Sequence, residues 1–371
     1  MAGQIAIYLP ELTPGGAQRV TVDLANGLAE RGHRVELVVS YPGGQLRPEV
    51  TDSVEIVDLS TPIVPGLGIV ASVPSLVRYL RRTRPLILFS AMTYANVVAT
   101  VATRLSRSGT PIVIVEHTTI GMEIGGKRNV TTRLARWVYP MADRAIAVSE
   151  GVAASIRERT GLGAERVVVL PNPVPVDDIR ERAEGGVVVP WLDDPDLAVV
   201  LWVGRFAPEK DLPTLLGAFD RLHERRPDTR LVLAGTGPEY ERIEGLVAER
   251  GLSSVAALPG YVDPAPYMAR AEAFALSSIY EGLPTVLVEA LACGCPVVAT
   301  DCPSGPREIL ADGEYGRLVP VGDDEALATA LEATLDEQTD PDRLRARSDD
   351  FASDRVLGEY ESLIEALTAS R

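Results

Sequence analysis

Two successive α/β domains, each built on a doubly wound parallel sheet, are what this sequence predicts, and three observations predict them. Short apolar runs alternate with amphipathic helical patterns from one end of the chain to the other. One Gly-, Pro- and Asp-rich stretch near the middle interrupts the alternation, which then restarts. The length, 371 residues, exceeds what a single core ordinarily organises.

In the first domain, expected over residues 1–183, "QIAIYLP", "RVELVVS", "PLILFS", "PIVIVEH", "RAIAVS" and "RVVVLPN" read as strands. Between them "GGAQRVTVDLANGLAERG", "SLVRYLRRTR", "TYANVVATVATRL", "TTRLARWVYPMA" and "GVAASIRERTG" carry the helical period. Residues 184–196, "EGGVVVPWLDDPD", read as a linker. The second domain, 197–345, resumes with the strands "LAVVLWVG", "RLVLAG", "VAALPG", "AFALSS" and "PVVATD". A final amphipathic helix within 346–371 is expected to pack on one of the domains, the first being the candidate. Doubly wound sheets bind ligands beyond the carboxyl ends of their strands, so two of them are expected to face a cleft with the motifs just after strands.

Composition narrows the function. The formal charge is −16, which argues against general nucleic-acid binding. Lysine occurs only at Lys127 and Lys210, so each lysine raises a question in a chain whose other basic side chains are arginine. Cys293, Cys295 and Cys302, an odd count within ten residues, suit reduced thiols, and no fourth ligand for a metal lies close by in sequence. No apolar run long enough to span a bilayer and no leader pattern appears, so a soluble, intracellular chain is expected.

The motifs follow strands, as expected. Gly15 and Gly16 in "LPELTPGGAQRV" precede a helix whose free N–H groups suit a phosphate or an acceptor, although a plain strand-to-helix turn has the same pattern. The full G-x-G-x-x-G fingerprint of a dinucleotide site is missing. In "VGRFAPEKDLPTLL", Arg205 and Lys210 bring a planar guanidinium and a compact ammonium to a loop ahead of a helix, the makings of a diphosphate clamp. In "SSIYEGLPTVLVEALACGCPVVATD", Glu281 falls on a turn and Glu289 on the following apolar helix, where a carboxylate needs hydrogen-bond donors. A carboxylate pair also invites a glycoside hydrolase reading, but such enzymes need both acids flanking the scissile bond, and one of these sits inside a helix. The D-x-D spacing of Asp194 and Asp196 lies in the expected linker and is given no metal role.

"VGRFAPEKD", "EGLPTVLVE", "ALACGCPVVATD" and the N-terminal "GGAQR" resemble the retaining glycosyltransferases of family four, whose GT-B architecture consists of two Rossmann-like domains. The resemblance covers nearly the whole chain in the expected order. "CPSGPREIL" is similar to members that extend surface glycans and lipid-linked oligosaccharides. It implies transfer of a hexose or N-acetylhexosamine from a nucleotide sugar, UDP-linked, to a glycan or polyprenyl-linked acceptor, with no other cofactor and no metal. It further implies that Arg205 and Lys210 hold the donor diphosphate, that Glu289 accepts from ribose hydroxyls, and that Glu281 binds hydroxyls of the transferred sugar. Gly282, Leu283 and Pro284 line the phosphates on that reading, and Gly16, Gly235 and Gly237 let backbone approach the donor. Backbone groups around Val262 meet the base edge, and His117 in "VEHTT" contacts the donor sugar unless it is a satisfied structural histidine. Asn172 in "LPNPV" is given a structural role.

Two basic segments bear on the acceptor. Lys127, Arg128, Arg133 and Arg136 stand beside Trp137 and Tyr139, and Arg78, Arg81, Arg82 and Arg84 share a second helix. In an acidic chain such segments suit an anionic membrane surface or a lipid pyrophosphate, and ordinary solvated faces otherwise. A cytoplasmic place, extending to the inner face of the cell membrane, goes with that reading. A GT-B sugar-nucleotide epimerase and a non-catalytic nucleotide-sugar-binding subunit are the rival functions.

Overall fold

The computed structural model describes residues 3–62, 68–121 and 130–369. The chain divides into two units, one formed by Met1–Pro173 with Ser353–Arg371 and the other by Val174–Ala352. Residues 184–196 therefore fall inside the second unit.

Among the described residues the first unit holds seven parallel strands: β1 (Ile5–Leu9), β2 (Val35–Val39), β3 (Val54–Asp58), β4 (Ile87–Ala91), β5 (Ile112–Glu116), β6 (Arg144–Ala147) and β7 (Val167–Val169). Their order is β3-β2-β1-β4-β5-β6-β7. The second unit holds β8 (Ala198–Val203), β9 (Thr229–Ala234), β10 (Ala256–Gly260), β11 (Ala273–Leu276), β12 (Val297–Thr300) and β13 (Arg317–Val319), ordered β10-β9-β8-β11-β12-β13 and again parallel. In both sheets the winding reverses beside the first strand, between β1 and β4 and between β8 and β11. That is where a doubly wound sheet opens a crevice at its carboxyl end.

Burial explains which strands the sequence announces. β1, β2, β4, β5 and β11 are buried at every position, because helices cover both faces of a parallel sheet. β3 and β13 form sheet edges, are partly exposed, and lack a continuous apolar run, so neither stands out among the strands expected from sequence.

The closing helix Ser353–Thr368 belongs to the first unit. Val356, Leu357, Tyr360 and Ile364 enter the core formed by β1, β2 and β4, with the Tyr360 ring 5.8 Å from that of Phe89. The helix Gly16–Glu30 receives it closely, since a Cβ on Gly27 would lie 2.6 Å from Leu357 Cδ1. Burying four such side chains contributes about 6–12 kcal/mol before chain entropy is counted.

Candidate active site

In the second unit the loops following β8 and β11 meet at the reversal of winding. The β8 loop carries Arg205 and a single turn, Pro208–Lys210; the β11 loop carries Ser277 to Pro284 and leads into the helix Thr285–Ala292. Lys210 Nζ donates to Glu281 Oε1 at 2.6 Å, joining residues 71 positions apart, and the two side chains are only 19% and 12% exposed. Ser278 Oγ donates to the same oxygen at 2.6 Å. The loops are tied on either side of this pair. Ser277 Oγ donates to the Lys210 carbonyl at 2.7 Å, Thr300 Oγ1 to the Ser278 carbonyl at 2.6 Å, and Ile279 N to the Glu209 carbonyl at 2.8 Å. Arg205 is exposed and makes no ion pair or side-chain hydrogen bond with the described residues. The region thus holds one cation matched by a carboxylate and, on the same loop, a second cation with no such match among the described residues.

Gly282, Leu283 and Pro284 are buried on the turn that follows Glu281, and Glu289 is half-buried on the next helix. The two carboxylates thus stand on a turn and a helix, as the sequence predicts. On the other side of β8 the β9 loop approaches the β8 loop as backbone against backbone. Gly235 has φ +137°, and a Cβ there would lie 1.9 Å from the Gly204 carbonyl oxygen; at Gly237, φ +159°, it would lie 2.4 Å from that of Phe206. Neither position accepts a side chain without moving the chain. Val262 is half-buried after β10, next to Tyr261, which is 77% exposed.

The three cysteines are free and buried. Burial pushes the Cys293 and Cys302 thiols up to about 12, so both stay protonated and unreactive at neutral pH. Among the described residues no group of three or more His, Cys, Asp and Glu could hold a metal ion.

In the first unit Gly16 is exposed and opens the helix that follows β1, and no side chain caps that helix start. His117 follows β5, half-buried, and pairs with Asn172 beyond β7 at 3.2 Å from Nδ1 to Oδ1. Because an amide oxygen only accepts, Nδ1 carries the proton and Nε2 is left as an acceptor. Burial pulls the His117 pKa down to about 4, against the opposing pull of Asn172, so the ring is neutral at pH 7. Asn172 therefore holds the ring of this histidine in place.

Arg133, Arg136 and Trp137 are exposed on the helix Val130–Val138, with the Arg136 guanidinium 5.8 Å from the Trp137 ring centroid. Lys127 and Arg128 lie outside the described residues. Tyr139, grouped with Trp137 on sequence grounds, belongs elsewhere: it is fully buried and donates to the Glu116 carboxylate, which also accepts from Thr93 at 3.0 Å and Asn96 at 3.1 Å. A buried carboxylate needs such donors, and Tyr139 is drawn inward to supply one.

Ser277 and Ser278 are participants that the sequence pattern does not single out. The signal that could find them is two consecutive hydroxyls closing a wholly apolar strand, three residues before a carboxylate.

Two family models match the chain. The model described as Glycosyltransferase Family 4 matches residues 14–178, and the one described as Glycosyl transferases group 1 matches 190–350. The N-acetylgalactosamine-N,N'-diacetylbacillosaminyl-diphospho-undecaprenol 4-alpha-N-acetylgalactosaminyltransferase of Campylobacter jejuni is 29% identical over 353 residues, covering 92% of each chain. The lipopolysaccharide core biosynthesis glycosyltransferase LpsE of Rhizobium meliloti is 34% identical over 179 residues, 48% of this chain and 49% of its own. Among solved structures, Anabaena HepE in complex with UDP and glucose superposes with a TM-score of 0.80 at 20% identity, over 98% of this chain and 100% of that one. The fold is thus GT-B, two Rossmann-like domains in one chain. The protein belongs to glycosyltransferase family four.

Proposed function

We propose that the chain moves a hexosyl or N-acetylhexosaminyl group from a UDP-linked sugar to a glycan or polyprenyl-linked oligosaccharide, with retention at the anomeric carbon. The observation that carries this reading is the Lys210–Glu281 pair at the reversal of winding in the second unit, with Arg205 exposed on the same loop as Lys210. Two cations suit the charge that develops on a departing diphosphate, and stabilising that charge is the largest service such a site can offer. Glu281 serves hydroxyls of the transferred sugar, Glu289 those of the ribose, and the backbone around Gly235, Gly237 and Val262 admits the nucleotide. His117, neutral with a free Nε2, serves as an acceptor toward the donor sugar. In the transfer step the bond from the anomeric carbon to the diphosphate oxygen breaks, and the bond to the acceptor oxygen forms on the same face. The acceptor proton passes to the leaving diphosphate. Names of relatives support the substrate class: the Campylobacter jejuni enzyme acts on a diphospho-undecaprenol glycan, and HepE was solved in complex with UDP-glucose.

The test is release of UDP from UDP-glucose, UDP-galactose and their N-acetylamino forms, with and without a polyprenyl-diphosphate glycan. Acceptor-stimulated release is expected. Free epimerised sugar would favour the epimerase, and binding without turnover across the panel would favour a binding subunit.

A membrane-surface role for the first unit has its own support. The helices Val73–Thr83, Thr93–Ser106 and Val130–Val138 pack side by side, and Val70, Leu105, Leu134, Trp137 and Met141 project from them or from their flanking turns. Trp137 is 73% exposed and Leu105 55%. Residues 59–115 contain six arginines and no carboxylate, although the chain as a whole carries −16. Exposed aromatic and aliphatic groups among arginines match the interface of an anionic bilayer. No helix among the described residues is long and apolar enough to cross a membrane. The chain is expected to co-sediment with phosphatidylglycerol vesicles at low salt, and Trp137→Ala to weaken that binding severalfold. Failure of the unaltered chain to bind would remove this reading.

A further inference from the structure

We infer that Ser278 is a positioning residue for the transferred sugar, acting by holding Glu281 so that one carboxylate oxygen is committed to protein and the other is kept for ligand. The inference rests on the donor reading of this site. Glu281 Oε1 receives two donors, Lys210 Nζ and Ser278 Oγ, each at 2.6 Å. Oε2 receives no hydrogen bond from the described residues. Two donors converging on one oxygen fix the plane of the carboxylate, and with it the two directions in which the second oxygen can accept.

The two donors are not equivalent. Lys210 is a cation on a flexible stem, and an arriving diphosphate competes with Glu281 for its ammonium. Ser278 has no such competitor, since it is fully buried at the end of β11, with its carbonyl held by Thr300 Oγ1 at 2.6 Å. When Lys210 turns to phosphate, Ser278 is the contact that keeps Glu281 in register. The neighbouring serine does different work, because Ser277 Oγ holds the Lys210 carbonyl and so the clamp itself. Two adjacent hydroxyls thus divide the task, one serving the diphosphate end of the donor and one the sugar end.

This division gives a signature that general damage to the turn does not. In Ser278→Ala the KM for the best donor of the UDP-sugar panel is expected to rise about tenfold or more, the scale of a lost hydrogen bond to a charged group. The Kd for UDP, measured by calorimetry, is expected to stay within about twofold, because UDP carries no sugar for Glu281 to hold. Ser278→Thr, which keeps the hydroxyl, is expected to return KM to within about threefold of the original. Ser278→Cys keeps the size but donates weakly, and it is expected to behave as the alanine variant does, so a poorly folded alanine variant leaves the test in place. Equal losses for UDP and UDP-sugar, or no loss for either, would overturn the inference. An unaltered chain that neither binds UDP nor turns over any sugar nucleotide would instead overturn the donor reading beneath it.

Discussion

Replacing Lys210 by alanine is expected to lower donor turnover by about 10²–10³-fold, the cost of removing one preorganised donor to developing charge. Two consequences separate. The ammonium is lost to the leaving diphosphate, and Glu281 is left mostly buried with only Ser278 as partner. A largely buried carboxylate stripped of its countercharge lowers stability by about 1–3 kcal/mol. The double variant Lys210→Ala with Glu281→Gln is therefore expected to recover stability without recovering turnover. Steady-state kinetics and thermal unfolding on the same preparations check both. Near-normal turnover in the single variant would sink the clamp assignment, and Lys210→Arg is expected to rescue poorly, because a planar fork does not fit where a compact ammonium sits 2.6 Å from its partner.

The second large effect is structural. Gly235→Ala places a methyl group 1.9 Å from the Gly204 carbonyl oxygen at φ +137°, a conformation that L side chains rarely adopt. Backbone strain of about 1–3 kcal/mol adds to overpacking of about 1–3 kcal/mol, and together they suffice to unfold a marginal domain. Loss of the second unit's unfolding transition, or a fall in its midpoint of about ten degrees or more, is the expected result. Gly245→Ala is the control: it lies within the helix Tyr240–Glu249, and a Cβ added there meets nothing within 4 Å. That change should stabilise by about 0.5–1 kcal/mol. Equal behaviour of the two variants would show that the close approach of the β8 and β9 loops is not needed.

Much of this is legible in the sequence, for physical reasons that can be named residue by residue. Continuous apolar runs such as "IAIYL" and "AVVLWV" announce strands covered on both faces, and each motif residue follows such a run, as the carboxyl-end rule requires. What stays hidden has one common cause, contact between residues distant in sequence. Lys210 and Glu281 read as independent ligands of diphosphate and sugar, yet strand order makes β8 and β11 neighbours and brings their loops together. Asn172 reads as structural until the β5 and β7 ends place it on His117. Tyr139 reads as a surface aromatic until Glu116, buried on β5, claims its hydroxyl. Spacing along a chain reports local structure; it cannot report which strand lies beside which.

The closing helix Ser353–Thr368 has a consequence for the order in which the molecule comes into being. The strands of the first unit leave the ribosome before any of the second, yet Leu357 and Tyr360, which fill the first unit's core beside Gly27 and Phe89, follow both. Every residue of the second unit is synthesised in between. At about 5–20 residues per second the interval from Pro173 to Ser353 lasts about 10–40 seconds, during which the nascent first unit exposes the apolar seat of its missing helix. The second unit, continuous in sequence, has no such wait. Nascent chains are therefore expected to leave the seat of Val356, Leu357, Tyr360 and Ile364 unfilled while the whole second unit is translated.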